Sequence, residues 1–358
     1  MVHLTFSIFV VSLDVMPISA LFRPHIVSKP RKTFNFRCGR TKVRIRSARG
    51  GYIQNGYHVN MSHNVGFINR FSSSWKIFIQ NPLGKAGLII LALFALMAFA
   101  SFWVHLLGPM YDPMTGVDPA VSHSVGPNTS HWLGTDFIGR DIFCQLMEGA
   151  KIAFIVGLAS AFISIVIGTV VGMVSGYAGG IVDMLLMRMA DMVMVLPSLV
   201  ILLIIAALFG QLNIWMIVFL IAILRWPAVA RVIRSQTLSL KHRPFIEASR
   251  VAGASNMRII FKHIMPNVLP LAFLYMTFRV TSAILVEASL SFLGFGDPGQ
   301  ISWGMMLQWV WSSGHMFQAP YWLLPPGICI SLLTLSFYMV GRAMDEVLDP
   351  RLRKEGKE

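Results

Sequence analysis

From Gly87 onward the chain alternates long apolar stretches with short polar ones. Six of the apolar stretches approach the twenty or so residues that a helix needs to cross a bilayer. They are Gly87–Leu107, Ile152–Ser175, Met192–Phe209, Leu212–Ala230, Leu271–Leu293 and Tyr321–Met339. The fourth is the least uniform, because Arg225 and Pro227 interrupt it. Arg225 and Trp226 are therefore expected near the water interface, where arginine can snorkel and tryptophan anchors. The pattern predicts an all-α, polytopic membrane protein with six transmembrane helices.

Composition agrees. The 358 residues are 55% hydrophobic and 13% charged, against about 25% charged in soluble domains. The net charge of +14 does not point to nucleic acid. Residues 1–60 hold ten Lys or Arg against the single acid Asp14, and most of the remaining excess lies between spans, where it sets topology. Cys38, Cys144 and Cys329 are scattered without a CxxC pair, which argues against a disulfide framework or a zinc site. They read as small apolar filler.

Charge also orients the spans, since cytoplasmic loops are rich in Lys and Arg. The segment after span four carries Arg225, Arg231, Arg234, Lys241, Arg243, Arg250, Arg258 and Lys262. Arg70, Lys76 and Lys85 precede span one, and Arg342, Arg351, Arg353, Lys354 and Lys357 follow span six. By contrast, Tyr111–Lys151 has two Lys or Arg against five acids, and Gly294–Pro320 has none. A multi-pass protein of the cell membrane with both termini in the cytoplasm satisfies every count.

The domain plan follows. Residues 61–110 form a cytoplasmic lead-in and the first helix, and 111–151 an extracytoplasmic loop. Residues 152–341 form a core of five helices containing the loop 239–267, and 342–358 a cytoplasmic tail. Residues 1–60 match this plan poorly: Val2–Ala20 has no basic residue ahead of its apolar part, and Asp14 interrupts it. They are expected to be a disordered tail, or sequence upstream of a true start at Met61. An arm that binds anionic lipid is the functional alternative.

The loop 239–267 is basic yet ordered in residue type. Pro244 suits a first helical turn, and Glu247 complements the positive end of that helix. Ala248, Ser249 and Ala252 leave a narrow surface able to enter a groove on another protein. Gly253 fits the left-handed position that ends a helix, Ser255 can cap the next, and Pro266 should stop it. Glu247-Ala248-Ser249, three residues, Gly253, twelve residues and Pro266 resembles the EAA loop of importer-type ATP-binding-cassette permeases. Ser249 and Met265 stand where that family usually has Ala and Leu.

Further segments resemble the dipeptide, oligopeptide and nickel permeases, in particular the second of their two permease subunits. His131-Trp-Leu-Gly134-Thr135-Asp136-Phe-Ile-Gly139-Arg140-Asp141 follows the first span. Gly176–Gly180, His263–Asn267, Glu287–Gly296 with Ser302–Gly304, and Asp349–Arg353 also fit. Gly341–Asp345 departs from the usual pattern at the C-terminal end.

The resemblance implies a type I importer permease (MetI-like) fold. It implies that Glu247, Ala248, Ser249, Gly253, Ile264 and Pro266 form the loop that couples to the ATPases. The implied partners are a second, homologous permease subunit, two ABC ATPase subunits and an extracytoplasmic solute-binding protein. Closure of the ATPases would pull the loop and rock the permease halves between inward- and outward-facing states. Di- or oligopeptides are the first expectation for cargo, with nickel and other small solutes carried by related permeases.

No Walker-type phosphate loop occurs in the chain, and Gly84-Lys85-Ala86-Gly87 does not match one. The chain is thus expected to be no enzyme and to bind no cofactor, with ATP used by its partners. Arg279 and Glu287 lie inside span five, where a charge costs about 2.5–3.5 kcal/mol on the insertion scale. They are expected to line the translocation path or pair with the other permease, unless Glu287 sits at the outer interface and Arg279 bonds within the bundle. Eight residues separate them, about 12 Å along a helix, too far for direct pairing. His105, His123 and His131 read as scattered loop residues, not ligands. An ion-driven secondary transporter is the rival reading, but it needs embedded acids, and Glu287 is the one plausible candidate.

Overall fold

The computed structural model describes residues 37–38, 41–42, 78–103, 111–119, 121 and 124–348. The chain divides into two units, Met1–Ser62 and His63–Glu358. In the first, the two-residue strands Arg37–Cys38 (β1) and Thr41–Lys42 (β2) pair antiparallel. The expectations for the rest of residues 1–60, for a start at Met61, for His105 and His123, and for Asp349–Arg353 lie outside the described residues.

The second unit is helical. Its α-helices are α1 (Pro82–Ala100), α2 (Ile142–Ala178), α3 (Gly180–Val195), α4 (Ser198–Phe209), α5 (Ile214–Lys241), α6 (Pro244–Val251), α7 (Asn256–Ile259), α8 (Met265–Leu290), α9 (Trp303–Ser312) and α10 (Pro320–Leu348). Among the described residues, five helical segments are long and apolar enough to cross a bilayer. The bent pair α3–α4 makes a sixth.

Small residues explain how the helices approach, since in lipid close backbone packing replaces the hydrophobic drive. Gly168, Gly172 and Gly176 form one stripe down α2 and face α5. A Cβ on Gly168 would lie 2.6 Å from the Val229 Cβ, and one on Gly172 2.6 Å from the Ala230 carbonyl oxygen. Gly157 meets Val280 and Ile284 of α8 in the same way. On α1, Gly84 and Gly87 lie against Ala343 and Met339 of α10. Asn81 caps α1 by accepting from the Leu83 and Gly84 amides, and its Nδ2 donates to Glu346 at 2.6 Å, tying the start of α1 to the end of α10. Residues 82–86, ahead of the expected start of the first span at Gly87, are therefore helical and packed.

Helix boundaries differ from expectation at several points, among them the start of α2 at Ile142 within the expected loop 111–151, and three of the differences have a local reason. The third span is not straight: α3 and α4 meet at 78°. Pro197 favours an extended conformation at the residue before it, and Leu196 has φ −76° and ψ 129°. The fourth span does not end at Ala230. Val229, Ala230, Ile233, Thr237 and Leu240 are all buried at helical spacing, so α5 continues as an amphipathic helix to Lys241. Finally, Pro266 does not stop a helix. A π turn over Ile260–Ile264 carries α7 directly into α8, with the Met265 amide bonded five residues back to Ile260. The wider turn relieves the clash a proline ring makes with the carbonyl four residues earlier.

Candidate coupling and docking sites

The α5–α8 connection folds as a short helical projection whose buried side chains join the core between α2, α5 and α8. Ile246, Ile259, Ile264 and Val268 are fully buried there, with Tyr177 and Leu240 beside them. α6 starts at Pro244, whose missing N–H costs nothing at that position. Glu247 lies in its first turn and Arg250 in its last, each complementing the local end of the helix dipole. Gly253 adopts φ +81°, the left-handed conformation that only glycine enters freely. Its amide and that of Ala254 then satisfy the carbonyls of Arg250 and Ser249. The Ser255 side chain caps α7 by accepting from the Arg258 amide.

Of the residues assigned to coupling, Glu247, Ala248, Gly253 and Pro266 are exposed and Ser249 is half-buried. Ser249 donates to the Phe245 carbonyl at 2.8 Å, so it is turned partly inward. Ile264 belongs to the buried core of the projection and holds its shape instead of offering a surface. Phe245, Val251, Met257 and Phe261 are also exposed, Val251 at 90%. All four belong to the same projection as Glu247. Sequence reading missed these four because apolar residues next to membrane spans carry no distinguishing signal.

The second assigned cluster, Gly134 to Asp141, is almost entirely internal. Asp136 is fully buried. Its Oδ1 accepts from the Ile138 and Arg140 amides, and its Oδ2 from Arg140 Nε at 2.7 Å and Gln145 Nε2 at 2.9 Å. The Arg140 guanidinium also lies 4.3 Å from the centre of the Trp309 ring. Thr135 binds Val125 twice: its amide donates to the Val125 carbonyl, and its hydroxyl oxygen accepts from the Val125 amide. Gly134 and Gly139 both have positive φ, and a Cβ on either would run into a backbone oxygen, at 2.4 Å and 2.3 Å. Asp141 caps α2 through the Cys144 amide.

His131 is not a stray loop residue as expected. It is 1% exposed, with Nδ1 2.8 Å from Asp141 and Nε2 3.2 Å from Asp118. Burial disfavours its charged form, but hydrogen bonds to Asp141 and then Asp118 outweigh it and raise its pKa above 6.5. These residues shape the segment and start α2. The side chains that reach its surface are Trp132, 70% exposed, and in part Phe137 and Ile138.

Arg279 and Glu287 both lie on α8, and they are set differently. Glu287 is 4% exposed and accepts from the Ser291 hydroxyl at 2.7 Å, so it is enclosed within this chain. Arg279 has a buried Nε with no hydrogen-bond partner, and its neighbours include Arg225.

A third polar cluster was missed. Arg234 of α5 grips Asp183 of α3 with two bonds, Nε–Oδ1 at 2.5 Å and Nη2–Oδ2 at 2.6 Å, and Ser175 of α2 donates to the same carboxylate. Arg231 pairs with Asp191 one step further along. Asp183 and Asp191 lie between the second and third expected spans, in a stretch for which no helix is predicted. Their eight-residue spacing was the available signal.

With the geometry in place, comparison with known proteins is direct. Residues 168–354 match the family described as the inner membrane component of binding-protein-dependent transport systems. Residues 69–120 match the N-terminal transmembrane domain of oligopeptide transport permease C. The oligopeptide transport system permease protein of Haemophilus influenzae is 37% identical over 280 residues, covering 77% of this chain and 87% of that protein. Its counterpart in Bacillus subtilis is 36% identical over 292 residues, 79% of this chain and 91% of the relative. The glutathione transport system permease protein of Pectobacterium atrosepticum is 34% identical over 281 residues, 78% and 90% respectively. The chain therefore belongs to the family of inner membrane components of binding-protein-dependent transport systems, and is an all-α permease subunit of an ATP-driven importer.

Proposed function

We propose that this subunit imports di- or oligopeptides and that the α6–Gly253–α7 projection is where partner ATPases grip it. The observation that carries the coupling role is the projection itself: a helix with Glu247 and apolar side chains exposed, seated on a core shared with α2, α5 and α8. A helix is suited to the task because its stacked hydrogen bonds transmit displacement without bending. Relatives named as oligopeptide permeases support the cargo.

In this reading both termini lie in the cytoplasm of a cell in whose cytoplasmic membrane the protein sits. A second, homologous permease completes the path, two ABC ATPases bind the projection, and a solute-binding protein delivers cargo from outside. The chain contributes no ATP site of its own. Closure of the ATPases displaces α6 and α7, and the spans joined to them rock from inward- to outward-facing. Arg279, with its free buried Nε, is the residue of α8 best placed to meet a carboxylate on the path, while Glu287 stays within the chain. Exposed Trp132 and Ile138 offer the binding protein an apolar foothold.

Uptake into sealed vesicles tests the proposal. Peptide import should stop without ATP and survive collapse of the ion gradients. Import that follows the ion gradient would overturn the ATP-driven reading, and import of a non-peptide solute alone would overturn the cargo.

A further inference from the structure

The end of α2 joins two polar contacts that meet at one lysine. On one side, the Tyr177 hydroxyl donates to Asn256 Oδ1 at 2.7 Å, linking α2 to the first residue of α7. On the other, Ser175 and Arg234 hold Asp183, the first acid of α3. Lys241, the last residue of α5, donates to the Tyr177 carbonyl at 2.6 Å and stands 5.7 Å from the centre of its ring. The lysine charge also acts on Asp183. Thus two hydrogen-bonded groups meet at the end of α2, one reaching α7 and the end of α5 through Tyr177, the other reaching the start of α3 through Ser175, two residues earlier, and Arg234 of α5.

The backbone at this node gives α3 little independence. Gly179 and Gly180, at φ +69° and +56°, reverse the chain so tightly that one residue separates α2 from α3. Ser175 is fully buried and Tyr177 nearly so. Asp183 keeps 15% of its side-chain surface exposed. By contrast, α3 meets α4 at a 78° break, so α3 is bonded to its neighbours at its start and bends sharply away from α4 at its end.

The geometry points to Tyr177, Lys241, Asp183 and Arg234 as positioning residues that make α3 move with the coupling projection. This inference rests on the proposed coupling role of α6 and α7. It adds a route: displacement enters at Asn256, passes through Tyr177 and Lys241 to the Asp183–Arg234 pair, and swings α3 about the Leu196–Pro197 break. A merely structural pair would stabilise the fold without linking these two motions.

Distances between spin labels can separate the possibilities, using the whole transporter with its partner permease and ATPases. Labels would be placed at exposed Leu93 on α1, Leu185 on α3 and Arg258 on α7, each changed to Cys after the native cysteines are changed to Ala. The probe is ATP with vanadate, compared with no nucleotide, so no cargo need be known. The expected result is a shift of both the Leu93–Leu185 and Leu93–Arg258 distances. In Tyr177→Phe and Asp183→Asn the Leu93–Arg258 shift persists and the Leu93–Leu185 shift is lost, while Asp183→Glu retains both. A Leu93–Leu185 shift that survives in both variants overturns the relay. Loss of ATPase co-purification in Tyr177→Phe also overturns it, because it would place the node in the docking surface. If neither distance shifts in the unaltered assembly, the coupling role of the projection itself is wrong.

Discussion

Nδ1 of His131 lies 2.8 Å from one oxygen of Asp141, whose other oxygen caps the first turn of α2. A proton on the imidazole thus helps to anchor a membrane helix. The His131 pKa is raised in the folded state, so its stabilising effect is complete below about 6.5 and is lost as pH rises through the raised value. The purified protein should melt at a lower temperature as pH climbs through that window. In His131→Asn the melting temperature should be flat across the same window. An equal pH dependence in the variant would refute the assignment.

Breaking the Asp136–Arg140 pair should cost far more. Asp136→Asn removes the charge that four donors share in a fully buried site. Loss of one partner from a buried pair costs about 3–5 kcal/mol. The variant is expected to accumulate poorly in membranes, as judged by immunoblot, whereas Trp132→Ala, at an exposed position, should accumulate normally.

At Gly172 the test is steric. A Cβ there would lie 2.6 Å from the Ala230 carbonyl oxygen and 2.8 Å from the Ile233 Cβ. Gly172→Val should therefore separate α2 from α5 and cost at least the 1–3 kcal/mol typical of overpacking. Val174→Leu, two residues away on an exposed face, serves as the control. Comparable thermal stability of the two variants would contradict the packing described.

Gly253 distinguishes conformation from space. Nothing lies within 4 Å of a Cβ there, yet φ is +81°. Gly253→Val should cost about 1–2 kcal/mol of local strain, with lost peptide uptake and weaker ATPase co-purification but normal membrane insertion. Gly253→Asn should keep much of both, because asparagine tolerates the left-handed region. Equal loss in the two variants would mean that surface, not backbone, is what matters at this position.

Glu247→Lys addresses the proposed docking face itself. It reverses a charge in the first turn of α6, where a lysine opposes the helix dipole by a few tenths to 1 kcal/mol. So small a local cost should leave the projection folded. Co-purification of the ATPases should nevertheless fall sharply, and normal transport would remove Glu247 from the coupling surface.

How much was legible depended on the kind of signal. Hydrophobic runs located the spans because lipid imposes a length, and glycine at 253 announced its own dihedral. Helix ends at the projection were less accessible. Pro266 reads as a stop in sequence, but the π turn before it lets the helix pass, and such a turn depends on packing around Ile259 and Ile264. The Gly134–Asp141 segment was legible as a pattern and not as a geometry: its acids look like surface chemistry until Arg140 and Gln145 are seen to consume Asp136, and His131 and the Cys144 amide to consume Asp141. Asp183 and Arg234 are 51 residues apart, and the stripe of glycines that seats α2 against α5 sets Arg234 beside the end of α2 from which α3 departs.

The one-residue reversal at Gly179–Gly180 carries a consequence for how this chain can vary. A connection so short has no slack to absorb an extra residue. Inserting one would turn α3 by about 100° on its axis and swing Asp183 away from Arg234. Length changes should be tolerated in the segment before α2 far better than here, so the chain can be retailored at its rim while the spacing of its inner joint stays fixed.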